Sequence, residues 1–185
     1  KLGIGYEELK KINPRLVYGC ISGFGHYGPY SSRPGYDIVG QAMSGIMSVT
    51  GWPDGEATRA GAPVSDAVAG ISLAAGVLGA LHYAQKTGIG QKVDIALVDS
   101  IVSVMQIINQ IYLIGGRVPG RTGNAYESTA PYDTFPTKDG ERVVIGVAND
   151  KFWKQLCEMM GREDLINHPD MQKNGDRVKN RDKIK

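Results

Sequence analysis

The chain has 185 residues, 42% of them apolar and 22% charged, a balance that excludes a disordered or fibrous polypeptide. Its length suits one domain, or one domain and part of another. With 21 Lys and Arg against 19 Asp and Glu the net charge is +2, which excludes a strongly polyanion-seeking protein.

In chain order, residues 6–12 predict a short helix closed by the turn pair Asn13-Pro14. Residues 16–21 are mostly apolar, partly β-branched and too short for a helix, which predicts a buried strand. A glycine and aromatic loop follows over residues 22–30, at the place where open α/β sheets bind ligands. Asp37 is placed to cap a helix through Ile38, Ala42 and Ile46, weakened by Gly40 and Gly45. Residues 50–55 form a turn cluster. Ser65 or Asp66 opens the longest helix, which runs to about Lys86 and carries small residues all round, so it must press closely on its neighbours. Its apolar stretch, residues 67–81, is too short and too rich in Gly and Ala to predict a membrane span. Gly88 is suited to the left-handed cap that ends it. A strand over residues 91–98 precedes Asp99, which is placed to cap one helix from Ser100 to about Ile114. Beyond Gly115-Gly116, residues 116–131 lack periodicity and predict a junction between a first domain (1–115) and a second (132–185). The second opens with two strands, residues 132–135 and 143–147, joined across Thr137-Lys138-Asp139-Gly140, and continues in an amphipathic helix over residues 152–160. The alternation of helix and strand predicts an α/β fold.

Two features carry the chemistry. Asp66, at the first turn of the small-residue helix, is expected to accept backbone N–H bonds at the positive helix end and so stay ionised, as a nucleophile requires. The run Ser22-Gly23-Phe24-Gly25 offers backbone donors and one ring, a seat for a phosphate or a base, although it lacks the spacing of a dinucleotide or phosphate loop. Both features also serve simply as a helix cap and a turn. His26, His82 and His168 lie far apart in sequence with no acidic ligands near them, so no metal site is expected. Without a GxSxG elbow, a CxxC pair or an HExxH helix, serine hydrolase, thiol redox and zinc protease readings fall away. Cys20 and Cys157 read as free thiols of a reducing compartment, and no secretory leader is visible. The expected location is the cytoplasm, or a mitochondrion or peroxisome in a eukaryote. The basic run over residues 173–185 is compatible with touching a phosphate but does not make a nucleic-acid binder, and neither nucleic acid nor membrane is expected as a partner.

Taken together, several ordered blocks resemble the central part of a family III CoA-transferase. They are Asn13-Pro14-Arg15-Leu16-Val17-Tyr18, Ser22-Gly23-Phe24-Gly25, Pro34-Gly35-Tyr36-Asp37, Gly61 with Pro63 and Asp66, and Thr87-Gly88-Ile89-Gly90-Gln91. The resemblance implies a Rossmann-like CoA-binding large domain followed by the start of a smaller α+β domain. It implies that Asp66 forms first a mixed anhydride and then an aspartyl-CoA thioester, and that Ser22, Gly23, Phe24 and Gly25, with Tyr36, line the CoA site. No permanently bound cofactor is implied; the coenzyme A thioester is itself a substrate. An interlocked homodimer is also implied. The racemases of the same superfamily, which exchange an α proton, are the alternative. They use a His where this chain has Tyr36, and a phenol with its pKa near 10 is a poor base for that task. Residues around Gly123-Asn124, Pro131-Tyr132, Phe135 and Gly146-Val147-Ala148-Asn149 resemble the dicarboxylate-type members, so succinyl-CoA is the expected donor. Arg59 and Arg121 are the expected partners of the second carboxylate.

Overall fold

The computed structural model describes residues 2–184. The chain divides into two compact units. The first comprises Lys1–Gly51 and Glu56–Arg121, the second Trp52–Gly55 and Thr122–Lys185.

In the first unit, helix α1 (Tyr6–Ile12) leads to strand β1 (Tyr18–Ser22). Helices α2 (Asp37–Ser44), α3 (Ile46–Val49) and α4 (Val64–Thr87) carry the chain over to β2 (Lys92–Ala96), and α5 (Leu97–Val104) and α6 (Gln106–Leu113) follow. Strands β1 and β2 pair in parallel, with Tyr18 opposite Lys92 and Ser22 opposite Ala96. A parallel pair requires such a crossover. Ala69, Ala80, Ala84, Ala96, Leu97 and Ile101 are buried within this unit.

Where the elements depart from the sequence expectation, the cause is local. The helix expected from Asp37 breaks at Gly45, whose φ of 90° is left-handed, and restarts as α3. The helix expected over residues 100–114 breaks after Met105, because Gln106 takes a φ of 33° and the Val102 carbonyl accepts from Asn109 Nδ2 at 2.8 Å. Asp99 lies in the first turn of α5 and does not cap it, since the helix begins at Leu97. Helix α4 ends as expected: Gly88 has φ 76° and its N–H bonds the Ala84 carbonyl at 2.9 Å.

The close packing expected all round α4 holds on one side only. A Cβ at Gly76 would meet Val93 Cγ1 at 2.7 Å, whereas Gly70 and Gly79 face open space. Ile71 is 72% exposed and Leu78 67%. Helix α4 has 24 residues, and an 18-residue stretch of it has a mean hydropathy of 1.7, so it is long and apolar enough to cross a membrane by length and composition, contrary to the reading from its apolar stretch alone. The core helices of globular proteins meet the same criterion.

The second unit pairs β3 (Tyr132–Pro136) with β4 (Arg142–Gly146) as an antiparallel hairpin, followed by α7 (Asp150–Met159) and α8 (Asn174–Lys179). Asn149 caps α7 by accepting from Phe152 N at 2.9 Å. Val147, Trp153, Cys157 and Met171 form its buried apolar cluster. Arg177 is fully buried beside them. Its guanidinium donates to Ala130 O at 2.8 Å, Met171 O at 2.9 Å and Asp150 Oδ1 at 2.9 Å, and lies over the Trp153 ring at 5.1 Å. Arg181 donates to Tyr126 O and Glu127 O. These two arginines of the basic run are therefore structural ties and not a phosphate-facing tip.

Candidate active site

The glycine loop after β1 is held by its own backbone. A Cβ at Gly23 would lie 2.6 Å from Gly35 Cα, and one at Gly35 would lie 2.5 Å from Gly23 Cα, so two loops cross where only glycine fits. The Gly23 carbonyl accepts from Val98 N at 3.3 Å, which fixes the loop to the start of α5. Gly25 takes a left-handed φ of 80°. Phe24 packs edge-on against Tyr30 with centroids 5.4 Å apart, and Arg33 lies over the other ring at 4.2 Å. Among the described residues, Ser22 Oγ is buried without a hydrogen-bond partner.

Two residues beyond Gly35, Asp37 opens α2 and reaches the start of α4. Its Oδ1 accepts from Ser65 N at 2.9 Å and from Ser65 Oγ at 2.6 Å, and its Oδ2 from Gln41 Nε2 at 2.7 Å. The Asp66 N–H also bonds this carboxylate. Gln41, fully buried, completes the tether by accepting from Ala60 N at 2.8 Å through Oε1. Burial pushes the Asp37 carboxyl up, but the bonds from Ser65, Gln41 and the two backbone amides outweigh it and hold it below the ordinary carboxylate range.

This corrects the expectation for Asp66. Asp37, 29 positions earlier, takes the backbone donors that Asp66 was expected to accept. The Asp66 side chain stays exposed in the first turn of α4, and the N-cap residue Pro63 makes no side-chain cap bond. A carboxylate relieved of capping keeps its lone pairs for a reacting carbonyl. The sequence offered a signal for the network only in the pair Ser65-Asp66; that Asp37 would join it needed the fold. Gly23 against Gly35, and Asp37 against Ser65 and Asp66, thus link the glycine loop, Tyr36 and Asp66 along one continuous path.

All 185 residues match the model of CoA-transferase family III. The chain belongs to this family. It is 40% identical to the acetyl-CoA:oxalate CoA-transferase of Acetobacter aceti, over 100% of this chain and 48% of that protein. It is 44% identical to the succinate–glutarate CoA-transferase of Agrobacterium fabrum, over 87% of this chain and 40% of that one. Among solved structures, a CAIB/BAIF family protein from Brucella suis matches at 39% identity with a TM-score of 0.79, over 98% of this chain and 48% of that chain. A Mycobacterium tuberculosis protein matches at 30% identity with a TM-score of 0.84, over 99% and 48%. The mixed α/β fold is that of this structural family, and the chain spans about half the length of the relatives it matches.

Other residues singled out in the sequence lie as follows. Tyr36 is 76% exposed, at the N-cap of α2. Arg59 is exposed, and its guanidinium donates to the Ala60 and Gly61 carbonyls, on the segment that Gln41 tethers just before α4. Arg121 lies beside Gly51 and donates to Ser48 O at 3.4 Å. In the second unit, Asn149 is a helix cap and Val147 a core residue, so part of the dicarboxylate-like pattern has structural work. The fold gives one histidine a neighbour that its place in the sequence does not reveal. His26 does have an acidic neighbour: its backbone N–H donates to Asp94 Oδ2 at 3.1 Å, and its Nδ1 stands 3.7 Å from Cys20 Sγ.

Proposed function

We propose that this chain carries the reacting half of an enzyme that moves coenzyme A from an acyl-CoA donor to a carboxylic acid acceptor. The observation that carries the proposal is Asp66, exposed at the first turn of α4 and relieved of capping by Asp37. The Asp66 carboxylate attacks the donor thioester, expelling CoA thiolate and forming a mixed anhydride. The thiolate attacks the aspartyl carbonyl, which releases the donor acid and leaves an aspartyl-CoA thioester. The acceptor carboxylate displaces the thiolate, forming a second anhydride, and the thiolate attacks its acceptor carbonyl. New acyl-CoA leaves and Asp66 is regenerated. Each step exchanges activated acyl groups of similar energy, so ATP is not needed.

The loop of Ser22, Gly23, Phe24 and Gly25 is the proposed CoA seat, with Tyr36 beside it. Support comes from its orphaned Ser22 hydroxyl and from its backbone link to the Asp66 segment. Related enzymes named for oxalate, glutarate, D-citramalate and mesaconate all handle dicarboxylic acids, which favours a dicarboxylate acceptor here, with succinyl-CoA the proposed donor. Arg59, a few residues before Asp66, is the proposed partner of the distal carboxylate, with Arg121 the second choice. The exposed apolar side of α4 supports a homodimer in which a second copy covers Ile71 and Leu78.

Hydroxylamine trapping of the full-length enzyme during turnover tests the central step. A mass change on the peptide holding Asp66 is expected, and a fully active Asp66→Ala protein would end the proposal. Incubation in deuterated water with a 2-methylacyl-CoA separates the racemase alternative: rapid α-deuteration without CoA transfer to any acid is the result that replaces transferase with racemase.

A further inference from the structure

Outside the proposed reacting centre, the paired strands bring three ligand-type side chains to one point. Cys20 and Asp94 are register partners in the parallel β1–β2 pair, so they project from the same face. His26 returns to that face from the loop after β1. Cys20 Sγ lies 3.7 Å from His26 Nδ1 and 3.6 Å from Asp94 Oδ1, and the three ligand atoms all fall within 4.8 Å of one another.

We propose that Cys20, His26 and Asp94 form a three-ligand site for a zinc-class divalent cation. Tetrahedral coordination with a metal–sulfur bond of about 2.3 Å and metal–nitrogen and metal–oxygen bonds of about 2.0 Å sets sulfur-to-ligand separations at roughly 3.5 Å. The observed 3.7 and 3.6 Å need only a small adjustment. The other Asp94 oxygen, Oδ2, is already held by Lys92 Nζ at 3.0 Å and the His26 amide at 3.1 Å. These outer contacts aim Oδ1 at the thiol, the way second-layer bonds orient metal carboxylates. The ion takes the place of the Cys20 proton, which leaves to solvent, and the thiolate and carboxylate offset its charge in part, since the Lys92 ammonium stays paired with the outer Asp94 oxygen. One thiolate, one imidazole and one carboxylate select zinc or cobalt over magnesium or calcium. His26 is exposed, which leaves the fourth position to water. The site does not enter the transfer chemistry proposed for Asp66.

The test uses tag-free, chelator-stripped protein titrated with Co²⁺ alone and with Zn²⁺ alone, and Mg²⁺ as the hard-cation control. The expected result is one Co²⁺ per chain with a thiolate-to-cobalt charge-transfer band and the intense visible bands of a tetrahedral ion, all displaced by Zn²⁺ and untouched by Mg²⁺. His26→Gln, at an exposed position that should leave folding intact, should weaken Zn²⁺ binding beyond the roughly 10–100-fold typical of an outer-layer change. Cys20→Ser should erase the charge-transfer band. Absence of that band in the wild-type protein, or an unchanged band and affinity in His26→Gln, overturns the site.

Discussion

The two units use their polar side chains differently. In the first, buried Gln41 and Ser65 together with the half-buried Asp37 carboxylate hold backbone: they fix the segment before α4 and the first turn that carries Asp66. In the second, the buried charge of Arg177 holds a fold together, tying Ala130, Met171 and Asp150 over the Trp153 ring. The first unit fixes an exposed carboxylate while leaving apolar helix surface uncovered; the second closes its apolar cluster around a cation. Polar burial is costly in both, and is offset only because the hydrogen bonds are made. The contrast separates residues whose loss should cost chemistry from those whose loss should cost stability.

The sharpest break in that comparison is Asp66→Ala. CoA transfer by the full-length enzyme should fall by roughly 10³-fold or more, with thermal stability unchanged, because this side chain is exposed and caps nothing. Arg177→Met should do the opposite. It leaves the Ala130 and Met171 carbonyls and the Asp150 carboxylate without their partner, which costs about 3 kcal/mol in chemical denaturation. Asp37→Asn falls between the two. It should lower kcat about 10-fold with KM for acyl-CoA little changed, and cost about 1 kcal/mol, because the Asn oxygen can still accept from Ser65 but its NH2 faces the Gln41 Nε2 donor that Asp37 Oδ2 accepts from. Loss of kcat and KM together would make Asp37 merely structural.

Acidity sharpens the same distinction. The folded-state carboxyls of Asp37, Asp94 and Asp150 all lie below their ordinary values. Burial opposes the shift but is outweighed by hydrogen bonds at Asp37 and Asp94, and the bond from Arg177 leads at Asp150. A depressed pKa contributes stability that is full above the unfolded value of about 3.9 and is lost as pH falls through the folded one. Stability should therefore hold to about pH 4 and decline below it, and Asp37→Asn should flatten that decline in pH-resolved unfolding. The smallest effect expected is at Phe24, where Phe24→Ala should raise KM for acyl-CoA a few-fold, roughly the loss of one aromatic contact, and leave kcat almost unchanged.

Much of the first unit was legible in the sequence. The small residues of α4 and the glycine after it mark a long helix and its end, and a short, mostly apolar run before a glycine loop marks β1, because local propensity and capping act over a few residues. That strand alternates half-buried and exposed residues, however, and is not the buried strand expected. The ordered blocks were enough to point to the family that the whole chain matches. Other features needed tertiary structure. Asp37 caps α4 across 28 positions, and Cys20 meets Asp94 across 74, because a crossover lays β1 beside β2. Gly23 reads in the sequence as a backbone donor of a ligand seat, and that it also crosses the backbone at Gly35 is visible only in the fold. The break at Gln106 escapes propensity altogether, since no glycine marks its positive φ. Periodicity and caps are local and so are written in consecutive residues; which carboxylate reaches which amide depends on strands and helices meeting in space, and only the tertiary structure decided that Asp66 would be left free.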